Sequence, residues 1–181
     1  NNVELREDPL YLGLKRPRLT GAAYYEVVDE FVTAVLHRWP KTLIQFEDFE
    51  SSVAQPLLDR YRDKILCFND DIQGTAAITL AALLSALRAT KGRLEDQKIL
   101  FYGAGEAGGG IGELIAMAME KTGMAHKEAM ERCYFMDSKG LVCKSRLDGL
   151  QHHKIPFAHD VEYQPDLASA IAAIEPTALI G

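Results

Sequence analysis

Two groups of residues in this chain have the types and spacing to do chemistry. One is acidic: Glu47-Asp48 follows Thr42-Leu43-Ile44-Gln45-Phe46, and Asp70-Asp71 follows Ile65-Leu66-Cys67-Phe68-Asn69. Carboxylates with no cysteine or histidine among them are hard oxygen donors, suited to Mg²⁺ or Mn²⁺ rather than zinc. Spacing alone leaves a second reading open, with Glu47 and Asp48 as solvated loop carboxylates and Asp70 or Asp71 as a helix cap. The other group is Gly103-Ala104-Gly105-Glu106-Ala107-Gly108, set between an apolar run and a helical one. Between strand and helix, G-x-G-x-x-G is a dinucleotide signature. Gly103 permits the tight turn, Gly105 lets backbone approach a pyrophosphate, and Gly108 lets helix pack close to strand. Glu106 and Ala107 fall within the same turn, where the helix N-terminus offers free N–H groups to phosphate. Hard carboxylates followed by a dinucleotide turn suggest a dehydrogenase that polarises its substrate with a metal.

The elements that must carry these residues follow from periodicity. A helix is expected from Thr20-Gly21 to about Arg38, with Val27, Val28, Phe31, Val32, Val35 and Leu36 as its apolar stripe and Pro40 as its stop. A strand over 42–46 ends at Glu47, and a second over 65–68 ends at Asn69-Asp70-Asp71. The helix between them, about Ser51 to Arg62, accommodates Pro56 with a bend or a late start. Ile72 to Ala89 reads as a long helix, apolar nearly all round and so buried between layers, ended by Lys91-Gly92. Then come strand 98–102, the glycine turn, a helix to about Lys121, a short helix 126–132, strand Cys133–Asp137, helix 166–174 and strand 178–180. Alternation of this kind predicts a parallel sheet with right-handed crossovers. The expected architecture is α/β: a Rossmann-type, doubly wound parallel sheet at 70–181, preceded at 1–69 by part of a smaller α/β domain. Both acidic groups then sit at the C-terminal ends of strands, where open α/β sheets gather ligands.

Composition narrows the function. With 48% hydrophobic and 25% charged residues the chain can bury a core, and its net charge of −6 argues against general affinity for nucleic acid or anionic membrane. No apolar run reads as long enough to span a bilayer. Cys67, Cys133 and Cys143 lack paired spacing, which favours reduced thiols in a reducing compartment and no secretion. The five histidines form no i,i+4 pair and read as surface or packing residues. The chain begins without methionine and closes on a strand-like run, so a piece of a longer protein is expected.

Several stretches together resemble malic enzymes, which oxidise and decarboxylate malate to pyruvate and CO₂. They are Gly13-Leu14 and the basic loop after it, Leu43 to Phe49, Phe68 to Ala76, Ile99 to Gly112, Asp137 to Leu141, and Pro176 to Gly181. The resemblance covers nearly the whole chain. It implies Glu47, Asp48 and Asp71 as ligands of Mg²⁺ or Mn²⁺, with Asp70 close by in the active site, and a homo-oligomer, commonly a tetramer. It also implies that the catalytic tyrosine and lysine and a malate-binding arginine belong to family segments before Asn1, and that further substrate contacts lie beyond Gly181. The compartment implied is cytoplasm, mitochondrion or plastid. Gly109 and Gly112 depart from the family pattern, which suggests a looser start to the helix. An amino-acid or folate dehydrogenase, or a non-catalytic dinucleotide-binding module, accounts for less of the chain.

Cofactor choice turns on Asp137. An acidic residue at the end of that strand normally accepts from a ribose 2′-hydroxyl and favours NAD. Ser138, Lys139, Lys144 and Lys154, however, lie within reach of a 2′-phosphate. In the family the aspartate is shared by both cofactor classes, and Lys154 matches a lysine of NADP-using members. The resemblance therefore points to NADP rather than NAD, with Lys154 as main determinant and Ser138 accommodating the phosphate.

Overall fold

The computed structural model describes residues 2–181 and, apart from those of Ser51, Glu106 and Ala107, their side chains. Packing divides the chain into two compact units, one up to Thr42 and one from Leu43 to Gly181. The first holds α1 (Val3–Glu7), whose N-terminus is capped by the Asn2 side chain, and α2 (Gly21–Arg38). Helix α2 ends as expected: the Trp39 N–H reaches the Val35 carbonyl, and Pro40 has no N–H to continue the ladder. Its apolar stripe is not buried as a whole. Val32 is covered, but Val27 and Phe31 are more than half exposed, because the packing within this chain reaches only one edge of the stripe.

The second unit opens with β1 (Ile44–Phe46), α3 (Ser51–Tyr61) and β2 (Cys67–Asn69). β1 and β2 pair in parallel, with Phe46 opposite Asn69, so both strands stop at the same level. Helix α3 starts at Ser51 and runs through Pro56, which rules out the late start; at its sixth residue a proline removes a single helical hydrogen bond. After β2 the chain makes one wide π-helical turn, Asp70–Gly74, before α4 (Thr75–Thr90). Lys91 closes α4 in the left-handed region at φ 57°, and the Gly92 N–H bonds to the Leu87 carbonyl.

The expectation that this helix lies buried between layers is not met. Ala76 and Leu87 are covered, whereas Ile78 is 69% and Leu84 41% exposed. One side of α4 packs on the core and the other faces outward. The sequence reading found no run long enough to span a bilayer, yet the 21 residues Asp70–Thr90 contain an 18-residue window of mean hydropathy 1.4, long and apolar enough to cross a membrane by length and composition. Alanine and leucine supply that average despite the interspersed Thr75, Thr79, Ser85 and Arg88. Its inner side, with Ala76, Leu80, Leu83 and Leu87, joins the cluster beneath the main sheet.

That sheet comprises β3 (Ile99–Tyr102), β4 (Cys133–Asp137), β5 (Gly140–Leu141) and β6 (Ala178–Ile180), in the order β5-β4-β3-β6. Between them run α5 (Glu106–Glu120), α6 (His126–Met130) and α7 (Leu167–Ile174). β3 pairs in parallel with both β4 and β6. The edge strand β5 is antiparallel to β4, joined to it by the two-residue turn Ser138-Lys139, so the sheet is mixed rather than wholly parallel. Strand alternation separates two cores. Ile99, Phe101 and Phe135 join α4 and α5 on one face, while Leu100 and Met136 join Ala170 and Ile174 of α7 on the other. The chain leaves β3 for β4 on one side and returns as β6 on the other. Such a reversal opens a crevice at the strand's carboxyl end, where ligands of doubly wound sheets bind.

Candidate metal and cofactor sites

The parallel pairing of β1 and β2 delivers Glu47, Asp48 and Asp71 to one place. Their carboxylate oxygens lie within 4.8 Å of one another. Two local devices hold them. Asp48 sits in the left-handed region at φ 57°, and its N–H donates to Asp71 Oδ2 at 2.9 Å, tying the end of β1 to the turn after β2. The turn itself is capped by Asn69, fully buried, whose Oδ1 accepts the Ile72 N–H at 2.9 Å while its own N–H donates to Gln73 Oε1. Three oxygens from three carboxylates, with neither sulfur nor imidazole, form a donor set that fits a hard divalent ion. Asp70 is adjacent in sequence but stands outside this group: it folds back along its own turn, and a Cβ on Gly74 would overlap its carboxylate. Glu47 also accepts from Gln45 Nε2 at 2.6 Å.

The glycine turn leaves the carboxyl end of β3. Gly103 has φ 143°, accessible to glycine with little strain, and its N–H bonds to the Met136 carbonyl. A Cβ at Gly105 would meet nothing within 4 Å, so the backbone there is open to a ligand. A Cβ at Gly108 would lie 2.9 Å from the Gly103 carbonyl oxygen, which is the close helix–strand approach expected of the third glycine. The side chains of Glu106 and Ala107, expected at the cofactor, lie outside the described residues. Gly112 does not loosen the helix: a Cβ there would stand 2.8 Å from Phe135 and 3.0 Å from Phe157, two rings in tilted contact.

Beside the turn lies a cavity of about 380 Å³ lined by Tyr102, Gly103, Ala104, Gly105, Met136, Asp137, Ser138, Gln151 and Lys154. Asp137, Ser138 and Lys154 thus meet around one space. Lys154 is not a solvated surface lysine; its side chain is 12% exposed and its Nζ donates to Asp137 Oδ2 at 3.0 Å. Of the other candidates, exposed Lys139 sends its backbone N–H to Asp137 Oδ1, and Lys144 pairs with Asp160. Burial pushes the Asp137 carboxyl up, but hydrogen bonds from Lys154, the Lys139 N–H and Arg146 outweigh it and hold the group below its usual range.

Two residues in this region escaped the sequence reading. Arg146 Nη2 donates to both Asp137 oxygens at 2.8 and 3.0 Å. The signal was a third basic residue near Lys144, placed by a tertiary contact that no periodicity reports. His153, read as a surface or packing residue, donates at the cleft: its Nε2 is 3.1 Å from the Ala104 carbonyl, which can only accept, so Nε2–H is the donor. Cys67, Cys133 and Cys143 are free thiols, as expected.

The model of the malic enzyme NAD-binding domain matches residues 72–181, more than half the chain, and that of the malic enzyme N-terminal domain matches residues 1–62. The chain belongs to the malic enzyme family. It is 49% identical over 183 residues to the chloroplastic NADP-dependent malic enzyme of Flaveria pringlei, covering 100% of this chain and 28% of that protein. Against the NADP-dependent malic enzyme of Homo sapiens it is 49% identical over 181 residues, 99% of this chain and 32% of the other. It therefore spans about 30% of the length of these relatives. The solved Entamoeba histolytica malic enzyme superposes with a TM-score of 0.67 at 28% identity, over 86% of this chain and 31% of that one. The NAD-dependent malic enzyme of Thermotoga maritima, at 23% identity and a TM-score of 0.60, shares the fold. The Rossmann-type architecture expected from the sequence is thus the architecture of this malic enzyme family chain.

Proposed function

We propose that the full-length protein carrying this chain oxidises malate and decarboxylates it to pyruvate and CO₂, reducing NADP in a metal-dependent reaction. The observation that carries this reading is the convergence of Glu47, Asp48 and Asp71 in the same compact unit as the glycine turn. These carboxylates would hold Mg²⁺ or Mn²⁺, and a divalent ion bound there polarises a hydroxyl or carbonyl oxygen of the substrate and stabilises negative charge on it. Asp71, through its bond from the Asp48 N–H, sets the spacing of the two strand ends. Gly103 and Gly105 present open backbone to the pyrophosphate, and the N-terminus of α5 supplies N–H donors there. Ser138 and Lys154 would face the adenosine 2′-position, where the lysine ammonium favours a phosphate over a hydroxyl. Asp70, beside the carboxylates, is read as an active-site neighbour.

The functional division is placed at Asn69: residues 1–69 as part of the substrate and metal domain and 70–181 as the dinucleotide domain, with Asp71 contributing from just across the boundary. Support for NADP comes from the two NADP-dependent relatives and from the half-buried Lys154. The full-length protein is read as a homo-oligomer in a reducing compartment; free thiols and a chloroplastic relative fit the second point.

The test is a Mn²⁺ titration of the full-length protein against Asp71→Asn, followed by electron paramagnetic resonance. Weaker Mn²⁺ binding together with lower malate turnover is expected in the variant. Unchanged Mn²⁺ affinity would remove Asp71 from the site. Exchanging Lys154→Gln should lower the NADP/NAD ratio of kcat/KM; an unchanged ratio would make Lys154 a bystander.

A further inference from the structure

We infer that His153 is a positioning residue: it locks the Ala104–Gly105 peptide of the glycine turn, so that the Gly105 N–H stands ready to donate to the cofactor pyrophosphate. The inference rests on the cofactor site proposed above and gives a role there to a side chain that sequence spacing does not single out.

Glycine populates positive and negative φ about equally, so glycines on both sides of Ala104 leave the peptides between them free to rotate unless something holds them. Gly103 is held from the neighbouring strand, since its N–H bonds to the Met136 carbonyl. Gly105 is held from the helix, because its carbonyl accepts the Gly109 N–H at 3.1 Å. Neither bond reaches the peptide between Ala104 and Gly105. Among the described residues its one hold is the His153 Nε2–H on the Ala104 carbonyl, at 3.1 Å.

That hold sets a direction. A trans peptide is planar, with its C=O and N–H pointing opposite ways. With the Ala104 carbonyl turned toward His153, the Gly105 N–H is turned away from it. Among the described residues this N–H has no acceptor, and no side chain caps α5 at Gly105. A free N–H at the head of a 15-residue helix, where the backbone carries partial positive charge, is a donor suited to a phosphate oxygen. Half a turn of the same peptide would present a carbonyl oxygen in its place, which repels phosphate.

His153 can impose this because it is fixed without any ligand. It lies in the 3₁₀ segment His152–Phe157. The next residue, Lys154, is paired with Asp137 at the end of β4. Phe157, buried, packs on Phe135 of the same strand with ring centroids 4.4 Å apart. The segment is thus fastened to β4 at two points, and His153 and Phe157 share a narrow space with Gly105 and Gly109. A bond that merely satisfied a buried carbonyl would, on removal, cost stability and weaken all ligands of the cleft alike. A bond that aims the Gly105 N–H is felt only by a ligand that carries the pyrophosphate.

The experiment titrates the full-length protein with NADP and with adenosine 2′-monophosphate, which lacks the pyrophosphate, by calorimetry. It compares wild type with His153→Gln, His153→Asn and His153→Phe. Glutamine carries its amide nitrogen to about the reach of Nε2 and asparagine only to that of Nδ1, so glutamine alone keeps the bond. Phenylalanine keeps the ring and loses the donor. His153→Asn and His153→Phe are expected to bind NADP about 10-fold weaker or more, the worth of one hydrogen bond to a charged group. His153→Gln should bind it like wild type, and the monophosphate should bind all four proteins alike. Unchanged NADP affinity in His153→Asn and His153→Phe, equal losses for both ligands, or no rescue by glutamine would each overturn the inference. If His153→Phe does not fold, the asparagine and glutamine variants, polar and one methylene apart, decide it. Wild type that binds neither ligand would instead remove the NADP reading, and this inference with it.

Discussion

Asp48 combines its proposed ligand role with a backbone that an L-residue adopts at some cost, at φ 57°. Left-handed backbone costs an ordinary residue about 1–2 kcal/mol, and glycine, asparagine and aspartate least. The two roles can be separated. Asp48→Gly should melt no lower than wild type in metal-free buffer, yet bind Mn²⁺ more than tenfold weaker, since losing even an outer partner of a ligand costs roughly that much. Calorimetry and a Mn²⁺ titration check both halves; wild-type Mn²⁺ affinity in Asp48→Gly would exclude Asp48 as a ligand. His159 offers a pH test. Burial lowers its affinity for a proton, outweighing its bond to the Cys133 carbonyl at 2.7 Å and the nearby Glu131, while Lys144 adds to the lowering. The unfolded chain then takes up a proton that the folded one refuses, so stability is full above the ordinary value of 6.5 and declines as pH falls below it. Replacing His159 with glutamine should flatten that part of the curve in denaturant melts between pH 7 and pH 5. An equally steep decline in the variant would assign the effect elsewhere.

At the scale of elements, glycines in α5 divide into those that make room and one that does not. Gly108 faces the Gly103 carbonyl with no space for a Cβ, and the obstacle is backbone that only moves with the turn. Gly109 has ordinary clearance, 4.0 Å to Phe157. Gly109→Ala should therefore raise stability by about 0.4–1 kcal/mol through the unfolded chain. Gly108→Ala should weaken NADP binding while the helix remains. Thermal melts and cofactor titrations read the two; a Gly108→Ala protein with unaltered cofactor affinity would show that the turn tolerates displacement. Most elements were legible as a short apolar run bounded by turn residues, as in Ile99–Tyr102, or by a period near 3.6, as in α5. β5 has two residues and carries no period at all. The 3₁₀ segments Lys144–Gly149 and His152–Phe157 were likewise invisible, and with them the route that brings Arg146 and His153 to the cleft. Glycine spacing and strand-end carboxylates mark a site in sequence; the partners that tune it arrive from afar.

For the molecule as a whole, the exposed apolar surface limits what these 181 residues do alone. Phe31 in α2, Ile78 in α4 and Leu179 in the edge strand β6 are each more than half exposed. An edge strand with an exposed leucine is a template for pairing with another copy. The isolated chain is expected to self-associate and not to turn over malate, whereas Leu179→Lys should reduce the association. Light scattering on both proteins, and an assay with malate, Mn²⁺ and NADP, give the answer. Steady turnover by the isolated chain would place the acid–base residues within it. The sequence reading of α4 as buried went wrong at this scale, since all-round apolarity reports a helix meant to be covered without saying by what.

The close approach of Gly110 to Ile72 reaches further than packing. A Cβ at Gly110 would stand 2.8 Å from the Ile72 side chain and 3.2 Å from its carbonyl oxygen. Ile72 follows directly on Asp71, and Gly110 lies one turn into the helix that begins at the cofactor loop. On the proposed reaction, with substrate held at the metal beside Asp71 and cofactor at the glycine turn, the pair would set the spacing between hydride donor and acceptor. A series of alanine, serine and valine at position 110 would lengthen the donor–acceptor gap stepwise while leaving the ligands of either half in place. The full-length enzyme carrying that series should show a growing primary deuterium isotope effect with malate labelled at C2, as hydrogen transfer comes to limit the rate.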